Sequence, residues 1–226
     1  MKPASIARWA LLAGAGLGVA SGPVTATPVI SELFYDASGS DAGLAFVELF
    51  AAPGESLDGL VLEGVNGGSG AVYLSIDLNG TVPADGVFLI GDDDGSGATS
   101  VAGADFIGEV DYQNGPDSVL LRDAGGILDA VGYGVFGASD IFAGEGAAAP
   151  DAAAGSSIAR LDPRFDSDDN SLDFVVLADP TPGSVPVAVS SVPLPAGAWL
   201  FGSGLAGLAT IARRDRRRRA AGVLSA

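Results

Sequence analysis

Two short stretches of the 226-residue chain concentrate hard oxygen ligands. One is Asp92-Asp93-Asp94-Gly95-Ser96-Gly97; the other spaces Asp166, Asp168, Asn170 and Asp173 along a polar run. Calcium takes six to eight oxygens, mostly from carboxylates and carbonyls. Asp92 and Asp94, with Asp166, Asp168, Asn170 and Asp173, are therefore the candidate metal ligands, and calcium is the candidate cofactor. Neither stretch is an EF-hand. The first has Gly97 at loop position 6 but Gly103 where the bidentate Glu belongs; the second has Ser171 and Leu177 at those places. The same residue types also build acidic turns and helix caps, so a ligand set and a solvated turn both remain open readings.

Other chemistries are removed by composition. The chain has no His and no Cys, which excludes a disulfide framework, a Cys/His zinc site, His-ligated haem, a Ser-His-Asp triad and a thiol nucleophile. Catalysis would rest on carboxylates, as in glycosidases that use a pair of them. Residues 27–195 contain no Trp and only Tyr35, Tyr73, Tyr112 and Tyr133 for stacking on a sugar through a polar-edged ring. Gly67-Gly68-Ser69-Gly70-Ala71 has the look of a nucleophile elbow, but without a His base a turn is the better reading. No catalytic residue is assigned, the chain is not expected to be an enzyme, and a carboxylate hydrolase ranks third among its functions.

Charge narrows the partners. Residues 27–195 hold 3 basic residues (Arg122, Arg160, Arg164) against 27 acidic ones, a net of −24. Such a surface repels nucleic acid and anionic lipid and favours divalent cations or basic partners. A salty habitat would account for the same excess without a ligand.

The elements that must position these groups are short. Apolar runs alternate with Gly, Asp, Asn and Pro punctuation, and no window sustains a helical period. The pattern predicts strands at 29–35, 45–50, 59–64, 71–78, 86–91, 106–111, 118–122, 127–133, 157–161 and 174–177. Asp123-Ala124-Gly125-Gly126 marks a tight hairpin. Residues 142–156 are Ala/Gly-rich and read as a loop. Many short strands with turns at close spacing argue for an all-β sandwich. The domain spans 27–183, and 184–195 is a Pro-rich linker.

Both ends differ from this middle. Lys2 and Arg8, the apolar run Trp9 to Ala20 and the small residues Val24-Thr25-Ala26 have the layout of a signal peptide over 1–26, cleaved after Ala26. Residues 196–212 form an uncharged apolar run, ~25 Å long as a helix and at the short end of a bilayer span. Arg213, Arg214, Arg216, Arg217, Arg218 and Arg219 follow within 213–226. A positive flank stays cytoplasmic, so the middle would face outward. Gly202-Ser203-Gly204-Leu205-Ala206-Gly207 fits the spacing of a dinucleotide loop, but lacks the preceding strand that loop requires. Small residues that let helices approach closely explain it better.

Val192-Pro193-Leu194-Pro195-Ala196, an apolar helix and an Arg cluster, in that order, resemble a PEP-CTERM-type sorting tail in its VPLPA variant. The resemblance implies a precursor anchored in the inner membrane by its C-terminal transmembrane helix. An exosortase-type enzyme would then cut it, delivering it to the cell surface or the extracellular space, often alongside exopolysaccharide. The middle resembles the lamin-tail domain family in its secreted bacterial form. The resemblance rests on Val29-Ile30-Ser31-Glu32-Leu33-Phe34-Tyr35-Asp36, Phe46-Val47-Glu48-Leu49-Phe50, Gly59-Leu60-Val61-Leu62, Arg160-Leu161-Asp162 with the acidic run to Phe174, and Pro180-Thr181-Pro182-Gly183. It implies an immunoglobulin-like β-sandwich and no general enzymatic activity. The expectation is an exported, non-enzymatic surface or matrix protein. The alternative is a calcium-dependent adhesion or polysaccharide-binding module.

Overall fold

Apolar residues at every second position give a strand one buried face, and a pair of such strands needs a second sheet to cover it. In the computed structural model of the chain, which describes residues 27–185, this produces two packed sheets. The strands are β1 (Val29–Phe34), β2 (Phe46–Phe50), β3 (Val61–Asn66), β4 (Val72–Asp77), β5 (Val87–Asp92), β6 (Phe106–Gly108), β7 (Asp117–Asp123), β8 (Gly126–Tyr133), β9 (Ser157–Arg160) and β10 (Phe174–Leu177). One helical turn, α1 (Asn170–Asp173), precedes β10. The first sheet runs β10-β9-β1-β2-β5-β6 and the second β4-β3-β7-β8. Every pairing is antiparallel except β5 with β6. This all-β core of two sheets is consistent with an immunoglobulin-like sandwich.

Ile30, Leu33, Val47, Leu49, Phe88, Ile90 and Ile158 of the first sheet share one buried cluster with Leu62, Val119, Leu121, Val131 and Tyr133 of the second. Burying such side chains supplies roughly 1.5–3 kcal/mol each. Tyr35 stacks on Tyr133, ring centroids 4.2 Å apart. The Tyr35 hydroxyl accepts a hydrogen bond from the Ala152 N–H at 3.0 Å, which ties residues 142–156 to the core. β5 is buried along its whole length. Its second face is covered because Phe46 and Leu89 pack against Val101 from the loop before β6, which explains the continuous run Val87-Phe88-Leu89-Ile90 where a half-buried strand would alternate.

The expected strand at 106–111 is shorter than its pattern implies. Only Phe106–Gly108 pairs with β5, after which Val110 and Tyr112 turn into the core. The hairpin between β7 and β8 forms as its glycines require: Asp123 Oδ1 accepts the N–H groups of Gly125 and Gly126 at 2.7 and 3.0 Å. Residues 142–156 contain no named strand or helix, yet they are held closely against β8. A Cβ on Gly144 would lie 2.4 Å from the Gly132 nitrogen and 2.5 Å from Asn170 Oδ1, so no other residue fits without displacing backbone.

The signal segment with Ala26, the motif from Val192 to Ala196, the apolar span 196–212 and the arginines from Arg213 to Arg219 lie outside the described residues, as do the two terminal helices expected there. Among the described residues no helix is long and apolar enough to cross a membrane.

Candidate functional site

Alternation along β9 turns Ile158 and Arg160 toward the other sheet. Ile158 enters the apolar cluster; Arg160 arrives where β1 and β9 meet the middle of β8, at Asp129. Its side chain is wholly buried. Nε donates to the Ile30 carbonyl at 3.2 Å. Nη2 donates to both oxygens of Asp129, at 2.9 and 3.1 Å. Nη1 donates to Asp166 at 2.9 Å and to Asp173 at 2.8 Å. The guanidinium also lies 4.7 Å from the centroid of the Phe174 ring, a cation–π contact. Arg160 therefore joins the two sheets through Nη2, which both oxygens of Asp129 share, and anchors the chain that carries α1. Burial opposes its charge, but Asp129, Asp166 and Asp173 outweigh that and raise its pKa.

Three carboxylates thus surround one guanidinium, and a fourth stands beside them. Glu145 comes from the segment 142–156, fixed by its own N–H, which donates to Asn170 Oδ1 at 3.0 Å. One carboxylate oxygen from each of Asp129, Glu145 and Asp166 lies within 4.8 Å of the others. Oxygens that share a calcium ion at 2.3–2.6 Å can be no more than ~5 Å apart, so the trio fits such an ion. Glu145 Oε2 is buried and has no hydrogen-bond partner. Burial pushes the Glu145 carboxyl up to about 8, with repulsion from Asp129 and Asp166 adding to it and Arg160 offsetting part. Burial likewise raises Asp129, against the pull of Arg160 and the Ile30 N–H. The corner holds more negative charge than its single arginine balances, and burial first, with that excess second, favours the protonated form of Glu145.

The sequence-derived ligands separate into different roles. Asp166 stands in the trio. Asp168 is exposed, with φ at +56°, and its N–H donates to Asp166 Oδ1 at 3.3 Å. Asn170 Oδ1 accepts from Gly132 and Glu145, and Nδ2 donates to the Ala130 carbonyl. Asp173 accepts from Arg160 and from the N–H and hydroxyl of Ser167. Asn170 thus ties α1 to β8 and to the 142–156 segment, and Asp173 ties α1 to β9 and to the loop at Ser167. Asp92 is buried and accepts the N–H of Gly43 at 2.7 Å and of Val110 at 3.0 Å. Asp94 is bound by the N–H and hydroxyl of Ser96 at 2.8 and 2.6 Å, and those bonds lower its pKa. The loop at 92–97 is thereby closed on itself as a set of turns, with Asp92 as its inward anchor.

Asp129, Glu145 and Arg160 were not among the sequence-derived ligands. A signal for two of them is present: Asp129 interrupts the apolar strand Ile127-Leu128-Asp129-Ala130-Val131, and Arg160 is one of only three basic residues in 27–195. A carboxylate inside a core strand needs a cation or several N–H donors, and few cations are available.

No protein-family model, no curated protein and no solved structure matches this chain.

Proposed function

We propose that this chain is a non-enzymatic binding module that adheres through calcium, with the ion held at the corner formed by Asp129, Glu145 and Asp166. The observation that carries this reading is the meeting of three carboxylate oxygens within 4.8 Å, one residue of which, Glu145, also has a buried oxygen with no partner. Calcium takes six to eight oxygens; three carboxylates leave open positions for water or for the hydroxyls and carboxylates of a polysaccharide. Asp166 is the most exposed of the three and would present the ion outward. Arg160 limits how deep the ion can sit, because both Asp129 oxygens already accept from it. The test is retention of the protein on extracted exopolysaccharide. Millimolar calcium should retain it, magnesium should not, and D166N should abolish retention. Binding indifferent to calcium would refute the reading.

A second reading concerns delivery, and the order Val192-Pro193-Leu194-Pro195-Ala196, apolar run, arginines favours it. In that reading the segment 1–26 exports the chain, 196–212 anchors it with the domain outside, and an exosortase-type enzyme releases it at the short Pro motif. The domain is then a lamin-tail-like module working at the cell surface or in the matrix. The two readings are compatible, since adhesion requires delivery.

A further inference from the structure

On the outer face of the first sheet two glutamates stand directly opposite each other, Glu32 of β1 and Glu48 of β2. Both are fully buried. Like charges placed so in a sheet repel, and a buried carboxylate requires compensation. The compensation comes from the last described segment. Thr181 donates its N–H to Glu32 Oε1 at 2.9 Å and its hydroxyl to Glu32 Oε2 at 2.6 Å. Gly183 donates its N–H to Glu48 Oε2 at 3.0 Å. A turn bond from the Ser184 N–H to the Thr181 carbonyl, 3.0 Å, closes the segment on itself. Ser157 of β9 adds a 2.6 Å bond to Glu32, and Ser31 a 2.8 Å bond to Glu48 Oε1.

We infer that Pro180–Ser184 is a proton-sensitive strap, clasped to the sheet while Glu48 carries a proton and released when that proton is lost. The groups facing Glu48 are few. β1 contributes Ser31 and Glu32, β5 sets the apolar Leu89 opposite it, and the strap contributes the N–H groups of Gly183 and Ser184. The one charge acting on it is Glu32. With the proton on Oε1, Glu48 donates to the Ser31 hydroxyl, and Oε2 still accepts from Gly183. When the proton passes to water, two facing carboxylates remain under the strap, and lifting it lets solvent reach both. Burial, then repulsion from Glu32, pushes Glu48 from 4.5 up to about 7, against the bonds from Ser31 and the strap. Opening removes burial, the largest cause of the raised value, and that outweighs the strap's own N–H bonds, which favour the carboxylate; closure is therefore strongest in acid and weakens as pH rises through 7. Opening would free the five residues of the strap, on the order of 15 Å of chain if extended.

Hydrogen–deuterium exchange of the full chain in calcium-free buffer reads this directly at the amides of Thr181, Gly183 and Ser184. After correction for intrinsic rates, the open fraction should grow between pH 6 and pH 8, by less than the roughly tenfold that a full return of Glu48 from about 7 to 4.5 would give, because Glu32 stays opposite it in the sheet. In E48Q the growth should vanish. Ser31→Ala removes a donor that lowers the Glu48 value and should move the midpoint to higher pH, a test that holds even if E48Q does not fold. Protection independent of pH, or a midpoint unmoved by Ser31→Ala, overturns the proposal. Because calcium is absent and the strap peptide is distinct from 142–156, failure here leaves the cation reading standing.

Discussion

Replacing Arg160 with methionine should destabilise the domain far more than replacing either other arginine of the sandwich. Asp129 keeps only the Ile30 N–H, with both oxygens otherwise stripped of donors in a fully buried position. Removing one partner of a buried pair costs roughly 3–5 kcal/mol, because the other charge stays buried without compensation. Loss of the contact with Phe174 adds to this. Arg164 is the internal control: its pair with Asp162 is a local one, with side chains 64% and 39% exposed, and such pairs contribute about 0–1 kcal/mol. For a domain of this size the difference lowers Tm by on the order of 10 °C. Thermal unfolding followed by circular dichroism suits the measurement, since both tryptophans lie outside the described residues. The R160M deficit should shrink at acid pH, where Asp129, already raised by burial, takes up a proton. It should also shrink in R160M/D129N. A deficit in R160M no larger than in R164M, or one unchanged by D129N, would refute the argument.

In calcium-free buffer, stability should fall as pH rises from about 5 to about 8.5. Glu48 and Glu145 have folded-state values near 7 and 8, both above the ordinary 4.5. The native state therefore holds the extra protons, and their contribution is fully present in acid and lost across that window. Urea midpoints at successive pH values check this; a midpoint that rises over the same range would contradict it. For delivery, replacing Pro193 and Pro195 should leave a membrane-retained precursor in the native host. Mass spectrometry of the tryptic peptide that begins at Phe165 reports the mature end, and unchanged release would count against exosortase processing.

The strands were legible because their information is local. Runs such as Phe46-Val47-Glu48-Leu49 and Val72-Tyr73-Leu74-Ser75-Ile76 carry the period of a pleated surface, and Asp-Ala-Gly-Gly names its own turn. The acidic stretch at 166–173 was legible as a place where oxygens collect, but not as a division of labour. Asp166 and Asp173 both face Arg160 while Asn170 is tied to the β8 backbone and to Glu145, and that depends on which way one helical turn and the loop before it face. Asp129 and Arg160 are brought together by the meeting of two sheets, 31 residues apart in sequence. Glu145 joins them only because Gly144 lets an irregular segment approach the β8 backbone. The opposed pair Glu32 and Glu48 was hidden for a related reason. A bulge between Ile30 and Glu32 sets their register, and a bulge of one residue has no fixed sequence signature.

Isothermal titration of the full chain with calcium at two pH values asks whether the corner of Asp129, Glu145 and Asp166 takes the ion. Binding to a carboxyl with a value of about 8 must displace its proton. Affinity should therefore rise about thirtyfold from pH 6.5 to pH 9, with close to one proton released at the lower pH, and E145Q should remove that dependence. Heats that saturate identically at both pH values in wild type and E145Q, or no heat at millimolar calcium, would contradict the account.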